Sequence, residues 1–188
     1  MSWKVTTDPA SEPLTRTEVK NYLKVDFSTD DDLIDVLIKS ARKWVEQHCN
    51  IGLLPQTITE TFDAWPGREW ELSVSPLRSV TAIYYKDSDG NAQTWASSQY
   101  LVDEYQSPPR IQRGYGVTAP TLYDEINAVS AVYTVGWDDA SALPAPIKQA
   151  MYLTIADAYE NRENYVKRMP TAAEYILQSA GYRIWHFR

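Results

Sequence analysis

The sequence is poor in the residues that do chemistry. Its 188 residues hold one cysteine, Cys49, and two histidines, His48 and His186. One thiol cannot close an internal disulfide, and so few soft ligands leave a zinc site or a Cys/His catalytic pair without partners. No apolar run approaches the roughly 20 residues a helix needs to cross a bilayer, so no membrane role is expected. Met1 to Ala10 carry no secretory signal pattern, which makes the cytoplasm the expected compartment. Positive charge is also short: 18 Lys and Arg face 25 Asp and Glu, a net charge of −7. Proteins that wrap nucleic acid gain affinity by neutralising phosphates with Lys and Arg, so DNA should be tolerated here and not gripped. A Gly-rich phosphate loop, a dinucleotide fingerprint, a nucleophile elbow and a fixed-period repeat are all missing. No catalytic residue, metal or cofactor is expected, and the chain does not read as an enzyme.

What is present is enough to build a core: 44% hydrophobic residues, 12% aromatic, with seven Trp and thirteen Tyr. Thr15-Arg16-Thr17-Glu18 has the capping-box pattern, and Leu14 and Val19 are spaced as a hydrophobic staple, so a short helix should follow. A second helix is expected over Thr29 to Asn50. Asp30, Asp31 and Asp32 suit the positive end of its dipole. Its apolar side is read as Leu33, Val36, Leu37, Ala41, Trp44, Val45 and His48, and its polar side as Asp35, Lys39, Arg42, Lys43 and Glu46. Between Gln56 and Trp137 the pattern becomes strand-like. Expected strands are 57–62, 70–74, 80–86, 93–95, 100–103, 110–112 and 128–135, with Asp89-Gly90 as a hairpin turn and 114–123 as loop. Pro146 then suits the first turn of a helix running to Glu163, and Ala172 to Ala180 forms a last short one. The expected fold is α+β: a helical bundle from 14–55 and 143–181, an antiparallel β-rich insertion at 56–137, and a tail at 182–188.

Several clusters invite a chemical reading. Asp30 to Asp32 could hold a hard cation, but a helix cap explains them more simply. Asp87-Ser88-Asp89-Gly90-Asn91 resembles the opening of a calcium loop, yet its glycine comes too early and no glutamate closes it. Glu60, Asp63, Glu69 and Glu71 lie near Trp65 and Trp70, as paired carboxylates of a glycosidase would, although alternating acids on a strand generally face water. An aromatic β lobe could also stack sugars on Trp65, Trp70 or Trp95. The aromatic surplus, including Trp137, Tyr165, Tyr182 and Trp185, suits protein interfaces as well as it suits a core.

Leu14 to Asp26, then Asp31-Asp32-Leu33-Ile34 leading into Ala41 to Glu46, resembles the opening of the phage head-tail connector family. Ser79 to Tyr85 with the Asp89-Gly90 hairpin, and the Pro146 helix closing on Tyr159-Glu160-Asn161-Arg162-Glu163, match its later markers in order and spacing. The resemblance covers residues 14 to 165. It implies an adaptor ring of about twelve copies, a dodecamer that follows the portal's symmetry through head-to-tail contacts. Its partners would be the portal and a stopper or tail-completion protein. It would sit in the virion neck after assembly in the host bacterial cytoplasm, with DNA passing an acidic channel unbound. For portal docking the expected residues are Tyr182, Arg183, Trp185, His186, Phe187 and Arg188, because a tail that orders on binding can cover a large groove; the plainer alternative is a tail that packs back on its own bundle. The alternatives are a carbohydrate-binding or hydrolytic module and a tail-completion protein of the same particle.

Overall fold

Thr15 starts the helical part of the chain with the two reciprocal hydrogen bonds that its sequence pattern predicts. Its hydroxyl accepts from the Glu18 amide at 3.2 Å, and the Glu18 carboxylate accepts from the Thr15 amide at 2.7 Å. The computed structural model describes residues 2–161 and 171–183, and it divides them between two compact units. The helical unit takes in residues from 10–54 and from 137 onward; the β unit takes in 2–9 and 55–136.

In the helical unit the capping box leads into α1 (Arg16–Leu23), which stops at Lys24 in the left-handed region with φ 60°. Leu14 and Val19 are both buried in one core, as a staple requires. Replacing Thr15 with alanine should lower the stability of this unit by about 1 kcal/mol in urea denaturation. Glu18 adds a pH signature. Hydrogen bonds from the Thr15 hydroxyl and then the Thr15 amide hold its carboxyl below the usual range. The box therefore stabilises fully above the ordinary glutamate pKa, and that share is lost as pH falls through the lowered folded-state value. The alanine variant should lose this part of the acid dependence.

The second helix, α2 (Asp31–Cys49), ends on Asn50 at φ 51°. Its buried stripe is Ile34, Ile38, Ala41, Val45 and Cys49, joined by Trp44. That corrects the expected face: Val36 is exposed, while Arg42 and Glu46, assigned to the polar side, are buried. The stripe is centred one residue further along the helix than the Leu33 and Leu37 pattern suggested. The third helix, α3 (Ala145–Glu160), carries Pro146 in its first turn and buries Ile147, Ala150, Met151, Ile155 and Tyr159. Arg162 and Glu163, expected at its end, lie outside the described residues. The last, α4 (Thr171–Ser179), contributes Ala173 and Leu177 to the same core. No helix among the described residues is long and apolar enough to cross a membrane.

The β unit holds eight strands: β1 (Ser2–Thr7), β2 (Gln56–Phe62), β3 (Glu69–Glu71), β4 (Leu77–Lys86), β5 (Ala92–Trp95), β6 (Tyr100–Asp103), β7 (Arg110–Arg113) and β8 (Val129–Val135). They form a five-stranded sheet in the order β1-β2-β8-β4-β5 and a three-stranded sheet in the order β3-β7-β6. Every pairing is antiparallel. The α+β class is as expected, with helices flanking a β-rich region. Three details differ. β1 had no counterpart among the expected strands, β3 is shorter than the 70–74 run, and β4 begins at Leu77 and carries two register shifts against β8. The β4–β5 hairpin is also wider than a two-residue turn. Only Gly90 takes positive φ, +83°, and the Asp87 carboxylate organises the loop by accepting from the amides of Asp89 and Asn91. The two sheets share one core, in which Trp95 meets Trp70 and Tyr100 at ring distances of 6.2 and 5.3 Å.

Candidate functional site

Several of the residues that invited a chemical reading make structural bonds. Asp30 accepts from the Tyr159 hydroxyl at 2.7 Å, and Asp31 pairs with Lys20 at 2.6 Å and Arg16 at 3.1 Å. The hydrogen bond from Lys20, with the charges of Lys20 and Arg16, keeps the Asp31 carboxyl below its usual range. Asp35 is held low in the same way by Arg16. His48 Nδ1 lies 2.9 Å from the Trp44 carbonyl, and burial pushes the Cys49 thiol up to about 11. A thiol held protonated at neutral pH is a poor nucleophile. Asp87 is lowered first by Gln93 and then by the loop amides, as the organising side chain of a turn should be. No group of three or more metal-ligating residues that could hold an ion occurs among the described residues.

Glu60 does not face water as an alternating strand acid was expected to. It is fully buried, because β2 turns Ile58, Glu60 and Phe62 inward together. Its carboxylate accepts from the Ser73 amide at 3.0 Å, the Ser73 hydroxyl at 2.7 Å and the Tyr133 hydroxyl at 2.8 Å. Burial, and next the neighbouring carboxylate, pushes the Tyr133 phenol far above its ordinary pKa, so it remains a donor. Asp63 accepts from the Asn127 amide at 2.8 Å, and Glu69 pairs with Arg110 at 2.8 Å. The sugar-stacking reading meets a second obstacle. Trp70 and Trp95 are core residues, and Trp65 is half-buried against Tyr85 and Trp95 with its Nε1 donating to the Pro120 carbonyl. Rings packed on other rings have no free face to offer a sugar.

Contact surfaces remain. Tyr105 and Tyr115 are 94% and 97% exposed, and Leu101 is 62% exposed on edge strand β6. In the helical unit Tyr175 stands out, and an open groove of about 340 Å³ has Leu14 and Ile38 in its lining and Glu12, Arg16, Asp35 and Lys39 around it. Two of the aromatics expected at the surface can be placed. Trp137 and Tyr182 are half-buried against the helical core, and Tyr165 and Trp185 lie outside the described residues. Of the docking residues, Arg183 is exposed and Tyr182 is partly covered, its phenol pushed up by burial. Trp185, His186, Phe187 and Arg188 lie outside the described residues.

Residues 15–111, just over half the sequence, match the model of the phage gp6-like head-tail connector protein family. The chain belongs to that family. The matched span runs from α1 to β7, so β8, α3 and α4 lie beyond it. Structural likeness extends over this connector's whole length. A chain in the virion of a native gene transfer agent particle covers 100% of it, with 98% of that chain aligned, 22% identity and a TM-score of 0.82. A chain in the neck of the empty particle, computed with C6 symmetry, has 21% identity and a TM-score of 0.81 over the same shares. A third, in the neck of the native particle computed with C12 symmetry, has 22% identity and a TM-score of 0.79. At these identities the likeness carries the fold of the connector. A search of curated proteins finds no match to it.

Proposed function

We propose that this chain is the adaptor subunit of a phage or phage-like particle, forming a ring in the neck between the portal and a stopper or tail-completion protein. The observation that carries this is the joint match: a connector family over residues 15–111, and a fold alike from end to end to chains in gene transfer agent particles and their necks. The ring has twelve copies, the symmetry order in which the native neck was computed. The net charge of −7 supports a lumen that DNA passes without binding, since like charge keeps phosphates off the wall. The chain acts through contact with other proteins and not as an enzyme.

The portal is engaged by the C-terminal residues Tyr182, Arg183, Trp185, His186, Phe187 and Arg188. Three aromatics, Tyr182, Trp185 and Phe187, interleaved with Arg183 and Arg188, combine the residue types that anchor interfaces. The test is a pull-down of the full-length chain by the portal encoded with it, repeated with residues 182–188 deleted. The full chain should be captured and the deletion should lose about tenfold or more in affinity. No capture of the full chain would remove the adaptor reading. Equal capture of both would remove only the docking role of the tail.

A further inference from the structure

Because the two sheets of the β unit bury their inner faces in one core, each also has an outward face, and the two differ in charge. On the five-stranded sheet the ladder aligns Thr57, Thr59 and Thr61 of β2 with Thr134, Val132 and Ser130 of β8. These alternate with the buried inward residues, so hydroxyls dominate the outward side. β1 and β4 add Lys4, opposite Thr59, and Lys86, which pairs with Glu125. No strand residue on this face is a carboxylate, in a chain with 25 Asp and Glu.

The three-stranded sheet is the opposite. Cross-strand alignment puts Glu69 with Gln112 and Leu101, and Glu71 with Arg110 and Asp103, on its outward side. Arg110 is engaged by two carboxylates, Glu69 at 2.8 Å and Asp103 at 2.9 Å, and with Glu71 as the third acid on this side the strand face is net negative. Leu101 stands exposed among them. Tyr105, just past the end of β6, and Tyr115, just past the end of β7, extend the face at its two ends, both almost fully exposed.

We infer that these faces are the two sides of one contact between copies of this chain, the hydroxyl face of β2 and β8 receiving the Glu69, Glu71 and Asp103 face of the next copy. The inference rests on the ring reading above. Hydroxyls and Lys4 can donate to carboxylates, and strands that present no carboxylate of their own, with Glu125 at their edge already paired to Lys86, let an acidic face settle with little repulsion. Like face on like face would set acid against acid. Unlike faces turned away from a common core give a head-to-tail contact, which repeats from copy to copy and forms a ring when the rotation between copies closes.

The test uses particles carrying the full-length chain with Thr59→Cys and Glu71→Cys together, treated with a short bis-maleimide. Cys49 is buried and does not compete. The expected result is a ladder of covalently joined copies on a denaturing gel, with neither cysteine alone giving dimers. Thr59→Glu should lower the copies retained per particle about tenfold, and Glu71→Lys added in the same chain should restore them. Dimers from Thr59→Cys alone, or no ladder from particles whose neck holds the chain, overturns the inference and leaves the adaptor reading standing. A full complement of Thr59→Glu copies in particles that lose DNA would assign the face to phosphates and also overturn it. If the wild-type chain is missing from the neck, the adaptor reading falls first. Should Thr59→Glu fail to fold, as judged by its melting curve, the milder cysteine pair decides.

Discussion

Glu60→Leu lowers the stability of the β unit by about 3–5 kcal/mol, measured in denaturant by the fluorescence of Trp65, Trp70 and Trp95. Leucine replaces much of the volume, so the loss comes from the polar partners. The Ser73 amide, the Ser73 hydroxyl and the Tyr133 hydroxyl all donate to this carboxylate, and without it they are left in a core with no acceptor for them in the replacement. Each buried donor without an acceptor costs about 1–3 kcal/mol. Glu60→Gln should cost less than half as much. Its carbonyl can stand where Oε2 accepts from the Ser73 amide and from Tyr133, and its NH₂ can donate to a Ser73 hydroxyl turned to accept. A glutamine as damaging as leucine would mean that the charge itself, and not the acceptor count, holds the site together. Tyr133→Phe removes one of three donors and should fall near the glutamine variant.

Arg42→Met produces a comparable loss, about 3–5 kcal/mol, in the helical unit. The Arg42 side chain is 5% exposed and forks onto Glu12, with Nε at 2.8 Å and Nη2 at 3.4 Å, while Nη1 reaches Glu46 at 3.1 Å. Glu46 also accepts from the Leu53 amide at 3.1 Å. One guanidinium therefore ties the segment before α1 to α2, and the loop after α2 is held by the same carboxylate. Methionine preserves the packing of the stem but leaves Glu46 buried opposite no guanidinium. Adding Glu46→Gln in the same chain should recover part of the loss, since glutamine keeps the acceptor for Leu53 and carries no charge. The double-mutant cycle over Arg42 and Glu46 should give a coupling of about 1–3 kcal/mol. A coupling near zero would mean that the pair acts through packing alone.

What could be read from the sequence is local. Thr15 and Glu18 are three residues apart, so their box is complete in four letters, while Pro146 starts a helix and Asn50 ends one by its own backbone preference. Non-local facts were harder to see. β1 reads Ser-Trp-Lys-Val-Thr-Thr, a largely polar run, and its pairing with β2 is what makes it a strand. Glu60 looks like a water-facing acid until Ser73 and Tyr133 arrive from 13 and 73 residues away. Arg42 and Glu46 look like a surface i,i+4 pair until Glu12 and the α2 stripe enclose them. The alternating segment at 70–74 misled in another way: Leu72 and Val74 are buried, but strand pairing stops at Glu71, so the apolar alternation runs on past the end of the ladder. Trp137 and Tyr182, expected at the surface, are half-buried against the helical core for the same reason. A tyrosine's letter does not say whether it will stack in a core, as Tyr100 does, or stand clear at a hairpin tip, as Tyr105 does.

The chain passes between its units at residues 9–10, 54–55 and 136–137, and Ser2–Thr7 returns to a sheet whose other strands begin 49 residues after it, at Gln56. Those few residues act as a bumper. With them in place the rim of β2 is already spoken for; taken away, a row of amides and carbonyls seven residues long lies open to any extended peptide that drifts by. A fragment cut at the start of the β-rich region would carry nearly the whole sheet and still be the sticky version of it.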